Sequence, residues 1–278
     1  MPELPEVETV RRDLDRELSG KRITKVEAVA GRWIRRHPDA AEFASAVLGA
    51  TVASVARRGK YLLLRLDGGG ALVVHLGMSG QLLLAAPGDE RPRHTHVVLR
   101  FDHDRELRFV DPRTFGEMFV IGEPADGRPW TELAHLGVDP LLDLKGWAQL
   151  AALLQSRRSQ LKGLLLNQRF LAGIGNIYAD EILFAARLRY DRTSDTLTTT
   201  EVRRLHRALV ETLEAAVEHR GSTLVDAQYR DALGIAGTFQ LRHRVYGREG
   251  QACTRCRRPI ARVKAAGRST FYCPHCQT

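Results

Sequence analysis

Four cysteines near the end of the chain form the clearest chemical pattern in the sequence. They occur as two CxxC pairs, separated by sixteen residues: Cys253 with Cys256, and Cys273 with Cys276. Two such pairs can each close a tight turn at one end of a hairpin and together offer four thiolates to Zn²⁺. Two disulfides and unligated core cysteines are the alternatives. We expect one structural zinc ion, and with four sulfur ligands it has no open position for catalysis.

A second chemically suggestive group lies at the start of the chain, Met1-Pro2-Glu3. If Met1 is removed, Pro2 presents a secondary amine with a pKa of about 7.7–8.0, so far more of it is unprotonated at neutral pH than of a lysine. Attack of this amine on a carbon at the oxidation level of an aldehyde would give an iminium ion, which makes the hydrogens on the neighbouring carbon more acidic. Glu3 can supply a proton. The simpler alternatives are an ordinary terminal proline and an acid that favours the first turn of a helix.

The positive charge of the chain is concentrated beside the cysteines. The sequence has 42 Lys and Arg against 33 Asp and Glu, a net charge of +9. Residues 242–278 contain nine basic residues and one acid, so this segment carries +8 and the rest of the chain only +1. A local excess of this sign indicates an anionic polymer as partner.

Length and composition narrow the class of protein. The chain has 278 residues, of which 44% are apolar and 27% charged, a globular mixture sufficient for one large or two ordinary domains. Disordered, collagen-like and coiled-coil chains are excluded. No stretch approaches the ~20 apolar residues of a membrane span, and the acidic, proline-bearing N-terminus is unlike a signal peptide. We therefore expect a cytoplasmic protein without a membrane partner.

Periodicity predicts that the first half of the chain is mainly β-structure. Apolar residues spaced by three and four predict a helix over 5–19, and a second helix is predicted over 39–49. Eight short strand-like runs are separated by glycine-rich turns, which predicts a β-sandwich or barrel with a helix at its front. The runs are Ile23–Val29, Val52–Ala56, Tyr61–Leu66, Ala71–Leu76, Gln81–Leu84, His96–Phe101, Glu106–Val110 and Glu117–Ile121.

The second half of the chain has a helical period. Helices are predicted over 145–156, 160–168, 176–187 and 198–219. The fold class expected is α+β with two domains, a β-sandwich led by a helix and a helical domain that carries the zinc-ribbon hairpin. The domains are expected at 1–121 for the sandwich, 122–135 for a linker, 136–240 for the helices and 241–278 for the zinc hairpin.

Several motifs together resemble the formamidopyrimidine-DNA glycosylases, a bacterial family of base-excision repair enzymes. The run MPELPEVET resembles their N-terminus, and similar segments follow in the family's order at 59–63, 75–80, 111–116, 173–181, 245–248 and 268–273. The resemblance implies a bifunctional DNA glycosylase/AP lyase that excises 8-oxoguanine and formamidopyrimidines and cleaves the strand by β,δ-elimination. The alternatives are an endonuclease VIII-like glycosylase for oxidised pyrimidines and a non-enzymatic zinc-ribbon protein that binds nucleic acid.

The resemblance implies catalytic roles for four residues. Pro2 would form the Schiff base, and Glu3 would protonate the departing base or the sugar oxygen. Lys60, which alone would be taken for a surface lysine, would contact a phosphate and donate a proton in β-elimination. Arg268 resembles the residue assigned to δ-elimination. Because a guanidinium is a poor acid, clamping of a phosphate is the better-founded role for Arg268.

Further residues are implied to contact DNA. A flipped nucleotide needs an apolar wedge on a rigid loop tip, and Met78 and Phe115 match the family's intercalating residues, with Arg113 pairing to the orphaned cytosine. Tips that fold back onto the sheet are the alternative. Asn176 begins a helix after a glycine-rich turn that resembles a helix-two-turn-helix anion site, or it is a plain N-cap. Four other positions match DNA contacts on resemblance alone: His75, His94, Arg158 and Tyr246.

The sequence departs from the family's usual pattern at two places that bear on lesion preference. The segment 233–237 lacks the proline of a frequent Gly-x-Pro-Gly turn, and Thr114 stands where a second arginine is frequent. The reaction implied is unaffected. The partner expected is double-stranded DNA with oxidised bases or abasic sites, bound by a monomer in the bacterial cytoplasm at the nucleoid.

Overall fold

A computed structural model describes residues 1–123, 130–224 and 228–278 of the chain. Six residues of the expected linker 122–135, residues 124–129, lie outside the described residues. The described chain divides into two compact units, one formed by residues 1–134 with 219–238 and the other by 135–218 with 239–278. Among the described residues, no helix is both long enough and apolar enough to cross a membrane.

The first unit begins with helix α1, Leu4–Leu18. Leu4, Val7, Val10, Leu14 and Leu18 recur on one face and are all fully buried, which is the stripe that a core-facing helix requires. The rest of this unit consists of helix α2, Ala40–Val47, and eight strands: β1 Ile23–Ala28, β2 Val52–Arg58, β3 Tyr61–Leu66, β4 Ala71–His75, β5 Gln81–Ala85, β6 Thr95–Phe101, β7 Glu106–Val110 and β8 Glu117–Ile121.

These strands form two antiparallel four-stranded sheets, in the orders β1-β6-β7-β5 and β2-β3-β4-β8. Alternate residues of both sheets point into one core, which also takes the apolar face of α1. Leu62 and Leu64 of β3 and Val97 and Leu99 of β6 belong to this core. The predicted strands are present, and two separate sheets make the unit a sandwich rather than a barrel.

Residues 219–238 group with the sandwich, whereas periodicity assigned them to the helical domain. Tyr229 and Ala232 are part of the sandwich core, and Leu84 of β5 donates its backbone N–H to Ala232 O at 2.8 Å. The two ends of this segment lie next to each other, because the Thr238 N–H donates to His219 O at 2.9 Å. A loop without a regular period gives no sign in the sequence of the unit to which it belongs.

The second unit contains four helices and one hairpin. The helices are α3 Trp147–Gln155, α4 Leu161–Leu166, α5 Asn176–Ala186 and α6 Thr199–Glu218, and the hairpin strands are β9 Ala261–Ala265 and β10 Arg268–Tyr272. α5 is buried on nearly all sides because it packs against α4, α6 and β10. The α+β class is confirmed.

The turn of the β9–β10 hairpin lies directly before Arg268. Ala266 and Gly267 both have positive φ, 49° and 71°, the conformation of a tight two-residue hairpin turn that matches the twist of the strands. Arg268 pairs with Ala265 in the register. The backbone therefore places Arg268 at the exposed end of the hairpin.

Candidate active site and nucleic-acid interface

The start of α1 is tied down by one buried carboxylate. Glu6 Oε2 accepts the backbone N–H of Glu3 at 2.8 Å, and Glu6 Oε1 accepts that of Ser222 at 2.7 Å. Glu3 and Glu6 are 3% and 2% exposed. Pro2 is buried as well, beneath a half-exposed Met1. The backbone next to Pro2 is therefore held rigidly, which suits a group that must meet a substrate atom in one geometry.

Lys60 lies just after a tight glycine turn that a second buried carboxylate supports. Gly59 has φ +57°, and its carbonyl accepts a hydrogen bond from Arg57 Nη1 at 3.0 Å. Arg57 Nε donates in turn to Glu8 Oε2 of α1 at 3.0 Å, and the Arg57 side chain is 1% exposed. Lys60 itself is 7% exposed. The helix that carries Glu3 thus also supports, through Glu8, the turn that presents Lys60.

His75, at the end of β4, is held in the neutral form. Burial, the largest cause, lowers the pKa of His75, and the positive charge of Lys60 acts in the same direction, so that the pKa is about 4. Its Nδ1 accepts the backbone N–H of Gly77 at 3.2 Å. A neutral ring that accepts through Nδ1 carries its proton on Nε2. His75 can therefore donate a hydrogen bond to an oxygen such as that of a phosphate.

Two loops of the sandwich end in exposed apolar side chains. Met78 in the turn 77–80 is 39% exposed, and Phe115 in the loop 111–116 is 47% exposed. The Arg113 guanidinium lies 5.4 Å from the centre of the Phe115 ring. These tips do not fold back onto the sheet. His94 is exposed at the entry of β6, with φ +66°.

In the second unit, the N-terminus of α5 is bonded to the hairpin. Gly175 occupies the N-cap position, so Asn176 is the first helical residue and not the cap. Asn176 Nδ2 donates to Ser269 O at 3.0 Å, next to Arg268. Lys162 Nζ donates to the same carbonyl at 3.1 Å and to Asp180 Oδ1 at 2.7 Å. The N-terminal end of α5 and the hairpin residue next to the exposed Arg268 are therefore bonded to each other.

Tyr246 is positioned by another carboxylate of α5. Glu181 Oε1 accepts the backbone N–H groups of Val245 and Tyr246 at 2.9 and 2.8 Å, and Glu181 also accepts that of Arg244. Burial raises the pKa of Glu181, although these amides oppose the shift.

Arg158 differs from the other expected contacts because its side chain is 85% exposed and is only loosely paired with Asp195 at 3.5 Å.

The four cysteines converge at the base of the hairpin. Their Sγ atoms all lie within 4.8 Å of one another, with Cys253 to Cys276 at 3.9 Å and Cys256 to Cys273 at 3.5 Å. A tetrahedron with Zn–S bonds of about 2.3 Å requires S···S distances of roughly 3.8 Å. The thiols therefore fit one structural Zn²⁺ with four sulfur ligands, and the site leaves no position for water or substrate.

The expected site residues fall into two groups. The sandwich unit carries Pro2, Glu3, Lys60, His75, Met78, His94, Arg113 and Phe115, and the helical unit carries Arg158, Asn176, Tyr246, Arg268 and the four cysteines. Sequence reasoning missed the supporting role of the buried carboxylates Glu6, Glu8, Asp180 and Glu181, which bond to the segments that carry these residues. Each lies within or beside a motif already singled out, and that position was the only signal.

Three protein-family models match the sandwich, most of the helical unit and the zinc hairpin. Residues 1–118 match the formamidopyrimidine-DNA glycosylase N-terminal domain, 136–228 match the H2TH domain of the same enzymes, and 250–278 match the zinc finger found in FPG and IleRS. Matches to the domains of one enzyme family in the sandwich, the helical unit and the zinc hairpin identify the chain as a DNA glycosylase with AP lyase activity.

Similarity to individual relatives extends over the whole chain. The formamidopyrimidine-DNA glycosylases of Pelotomaculum thermopropionicum and Salinispora arenicola are 44% and 47% identical, covering 100% of this chain and 99% and 96% of theirs. The MutM (Fpg) crystal structure from Thermus thermophilus is 44% identical with a TM-score of 0.87, covering 99% of this chain and 98% of that one. The Lactococcus lactis Fpg complex with abasic-site DNA has 33% identity, a TM-score of 0.89 and 99% coverage of both chains. The chain belongs to the formamidopyrimidine-DNA glycosylase family.

Proposed function

We propose that the protein excises 8-oxoguanine and formamidopyrimidines opposite cytosine in double-stranded DNA and then cleaves the strand through Pro2. The observation that carries the proposal is the fixed Pro2-Glu3 start of α1, where Glu6 Oε2 holds the Glu3 N–H at 2.8 Å. Two Lactococcus lactis Fpg structures support the substrate class, since they contain Fapy-dG DNA and abasic-site DNA.

The reaction begins once removal of Met1 frees the amine of Pro2. The amine attacks C1′, the bond from C1′ to the base breaks, and Glu3 gives a proton to the departing base or to the sugar oxygen. The nitrogen loses its proton, and its lone pair then breaks the C1′–O4′ bond while the ring oxygen takes up a proton, so the product is a ring-opened iminium ion at C1′. Loss of a proton from C2′ expels the 3′ phosphate (β-elimination), and a second elimination expels the 5′ phosphate. Lys60 and Arg268 bind these phosphates and stabilise the negative charge that develops on them as they leave.

Neutral and positively charged side chains make different kinds of contact with the DNA. His75 donates a hydrogen bond from a neutral ring, while Lys60 and Arg268 add positive charge. Met78 and Phe115 enter the base stack, and Arg113 hydrogen-bonds to the unpaired cytosine. The remaining contacts to the backbone come from His94, Arg158, Asn176 and Tyr246. Zinc stabilises the hairpin that presents Arg268 and takes no part in the chemistry.

Borohydride trapping tests the assignment of Pro2, because reduction of the iminium ion leaves a covalent protein–DNA adduct. We expect the adduct with mature protein on abasic DNA, and little or none with Pro2→Gly or with a protein extended at its N-terminus. Pro38→Ala, at an exposed proline, is the matched control and should trap like the wild type. An undiminished adduct in the extended protein would overturn the assignment.

Lesion preference is tested with matched duplexes. We expect faster excision of 8-oxoguanine opposite cytosine than of thymine glycol, and the reverse order would favour the endonuclease VIII-like alternative. That alternative merits the comparison because one Lactococcus lactis Fpg structure contains oxidised-pyrimidine DNA. A protein that binds DNA without lesion-dependent nicking would be a zinc-ribbon binding protein instead. The protein is further proposed to act as a monomer on DNA in the bacterial cytoplasm.

A further inference from the structure

Asp111, at the end of β7, bonds to both loops that end in exposed apolar side chains. Its Oδ1 accepts the hydroxyl of Ser79 at 2.6 Å, and its Oδ2 accepts the backbone N–H of Gly116 at 2.7 Å. Asp111 is fully buried and Ser79 is 1% exposed. Ser79 directly follows Met78, and Gly116 directly follows Phe115. One carboxylate thus fixes the residue after each exposed tip.

The two loops also touch through their backbones. A Cβ added to Gly77 would lie 2.5 Å from Gly116 N and from Phe115 C, and Gly77 has φ +60°. Arg113 N–H lies 3.3 Å from both Ser79 Oγ and Asp111 Oδ1. Neither loop can therefore shift without disturbing the other.

The main chain of Asp111 anchors this junction to the sheet. Its N–H donates to His94 O at 3.1 Å, and its carbonyl accepts from His96 Nε2 at 2.9 Å and from Thr114 N–H at 3.3 Å. These main-chain bonds connect Asp111 to the entry of β6 and to its own loop, whereas its side chain bonds to both loops. The junction is built into the rigid sandwich, while Met78 and Phe115 project from it into solvent.

We propose that Ser79 and Asp111 are positioning residues that hold Met78 and Phe115 as one rigid two-pronged wedge for opening the base stack. The inference rests on the proposed excision of bases from duplex DNA. A wedge that bends under load cannot hold a stack open, and loss of about 1 Å of registration costs an enzyme up to roughly a hundredfold in rate. The Ser79 hydroxyl is the direct link from the Met78 turn to Asp111.

The test is a double-mutant cycle between Ser79→Ala and Met78→Ala, read on two substrates. We expect Ser79→Ala to lower single-turnover excision of 8-oxoguanine from duplex DNA by about ten- to a hundredfold. Cleavage of single-stranded abasic DNA, which needs no wedge, should change less than about twofold. If Ser79 acts through Met78, the double variant should be no slower than Met78→Ala alone.

One fluorescence measurement and two further variants separate positioning from folding. The fluorescence of 2-aminopurine placed beside the lesion should rise more slowly with Ser79→Ala, because the stack is opened less often. Ser45→Ala, which removes a hydroxyl bonded to Glu42 O at 2.8 Å on the exposed side of α2, should leave all readouts unchanged. Asp111→Asn, with one oxygen retained for a single partner, should fall between wild type and Ser79→Ala.

The outcomes are distinguishable. A wild type that excises lesions, combined with additive effects of Ser79→Ala and Met78→Ala, would overturn the inference and leave the proposed function intact. Equal losses on duplex lesion and single-stranded abasic DNA would also overturn it, since that pattern marks a general structural role. A wild type inactive on both substrates would overturn the proposed function itself.

Discussion

The carboxylate of Glu6 accepts the backbone N–H of Ser222 at 2.7 Å, across 216 residues of sequence. The same carboxylate holds the N–H of Glu3 at 2.8 Å, so the first turn of α1 and the segment after α6 share one buried acceptor. Gly221 belongs to this arrangement, because a Cβ there would lie 2.6 Å from Glu6 Oε1 and its φ is +77°. The position of the backbone around Pro2 therefore depends on Gly221 and Ser222, which are far from it in sequence.

Glu6→Gln is expected to destabilise the sandwich unit. The amide keeps one oxygen for one of the two N–H groups and turns its own NH₂ towards the other, which leaves a buried donor unsatisfied at a cost of about 1–3 kcal/mol. The free energy of unfolding in urea measures the change. Glu17→Gln is the matched control, because Glu17 pairs with the exposed Arg16 at the surface and the loss of that pair should cost under about 0.5 kcal/mol. Equal losses in the two variants would contradict the prediction.

The buried pair of Lys162 and Asp180 gives a second prediction. Both side chains are 1% exposed, and Asp180 Oδ2 also accepts the Phe271 N–H at 2.9 Å. Removal of one partner from a buried pair costs about 3–5 kcal/mol, so Lys162→Met should be strongly destabilising. Lys162→Met with Asp180→Asn should lose less than the sum of the two single variants, because no unpaired charge then remains buried.

The same pair predicts how the loss depends on pH. Burial raises the pKa of Asp180 to about 7 against the opposing charge of Lys162, and without the lysine the pKa must rise further. A carboxyl group whose pKa is higher in the folded than in the unfolded state stabilises the fold while it is protonated. This contribution to the free energy of unfolding is lost as the pH rises from the unfolded-state pKa of about 3.9 towards the folded-state pKa. Lys162→Met should therefore be less destabilised at pH 5 than at pH 8, measured by unfolding at both. A loss that is the same at both pH values would contradict this account.

The regular elements were predictable because each is specified by its own residues. The short apolar runs of β3 and β6, bounded by turn residues, and the three-four spacing in α1 give these elements to within a few residues, and the CxxC spacing gives the zinc site. The supporting carboxylates were not predictable. Glu6, Asp111 and Asp180 act on backbone groups 216, 5 and 91 residues away, and only the folded chain brings these groups to them. Burial of an acid cannot be inferred from local pattern.

His75 predicts a loss of stability in acid. Its folded pKa of about 4 lies below the unfolded value of about 6.5, so the unfolded chain binds the proton more readily between these values. His75 should therefore not reduce the free energy of unfolding above pH 6.5, and this free energy should fall as the pH drops from 6.5 towards 4. Protonation also removes the Nδ1 acceptor of the Gly77 N–H. His75→Gln should lose less unfolding free energy than the wild type between pH 7 and pH 5, and an identical slope would contradict the assignment.

Arg268→Ala tests whether the positive charge of the tail acts locally or only through its sum. Residues 242–278 carry +8 of the net +9, and Arg268 projects at the end of the hairpin beside Ser269, whose carbonyl is held by Lys162 and Asn176. A single phosphate contact contributes about 0.9 to the slope of log K against log salt. We expect Arg268→Ala to reduce that slope by about this amount in equilibrium binding to abasic-site duplex. Arg258→Ala removes the same charge from an exposed position away from the hairpin end, and it should change both the affinity and the slope much less than Arg268→Ala does. Equal changes in both variants would show that net charge, rather than a placed contact, governs the affinity.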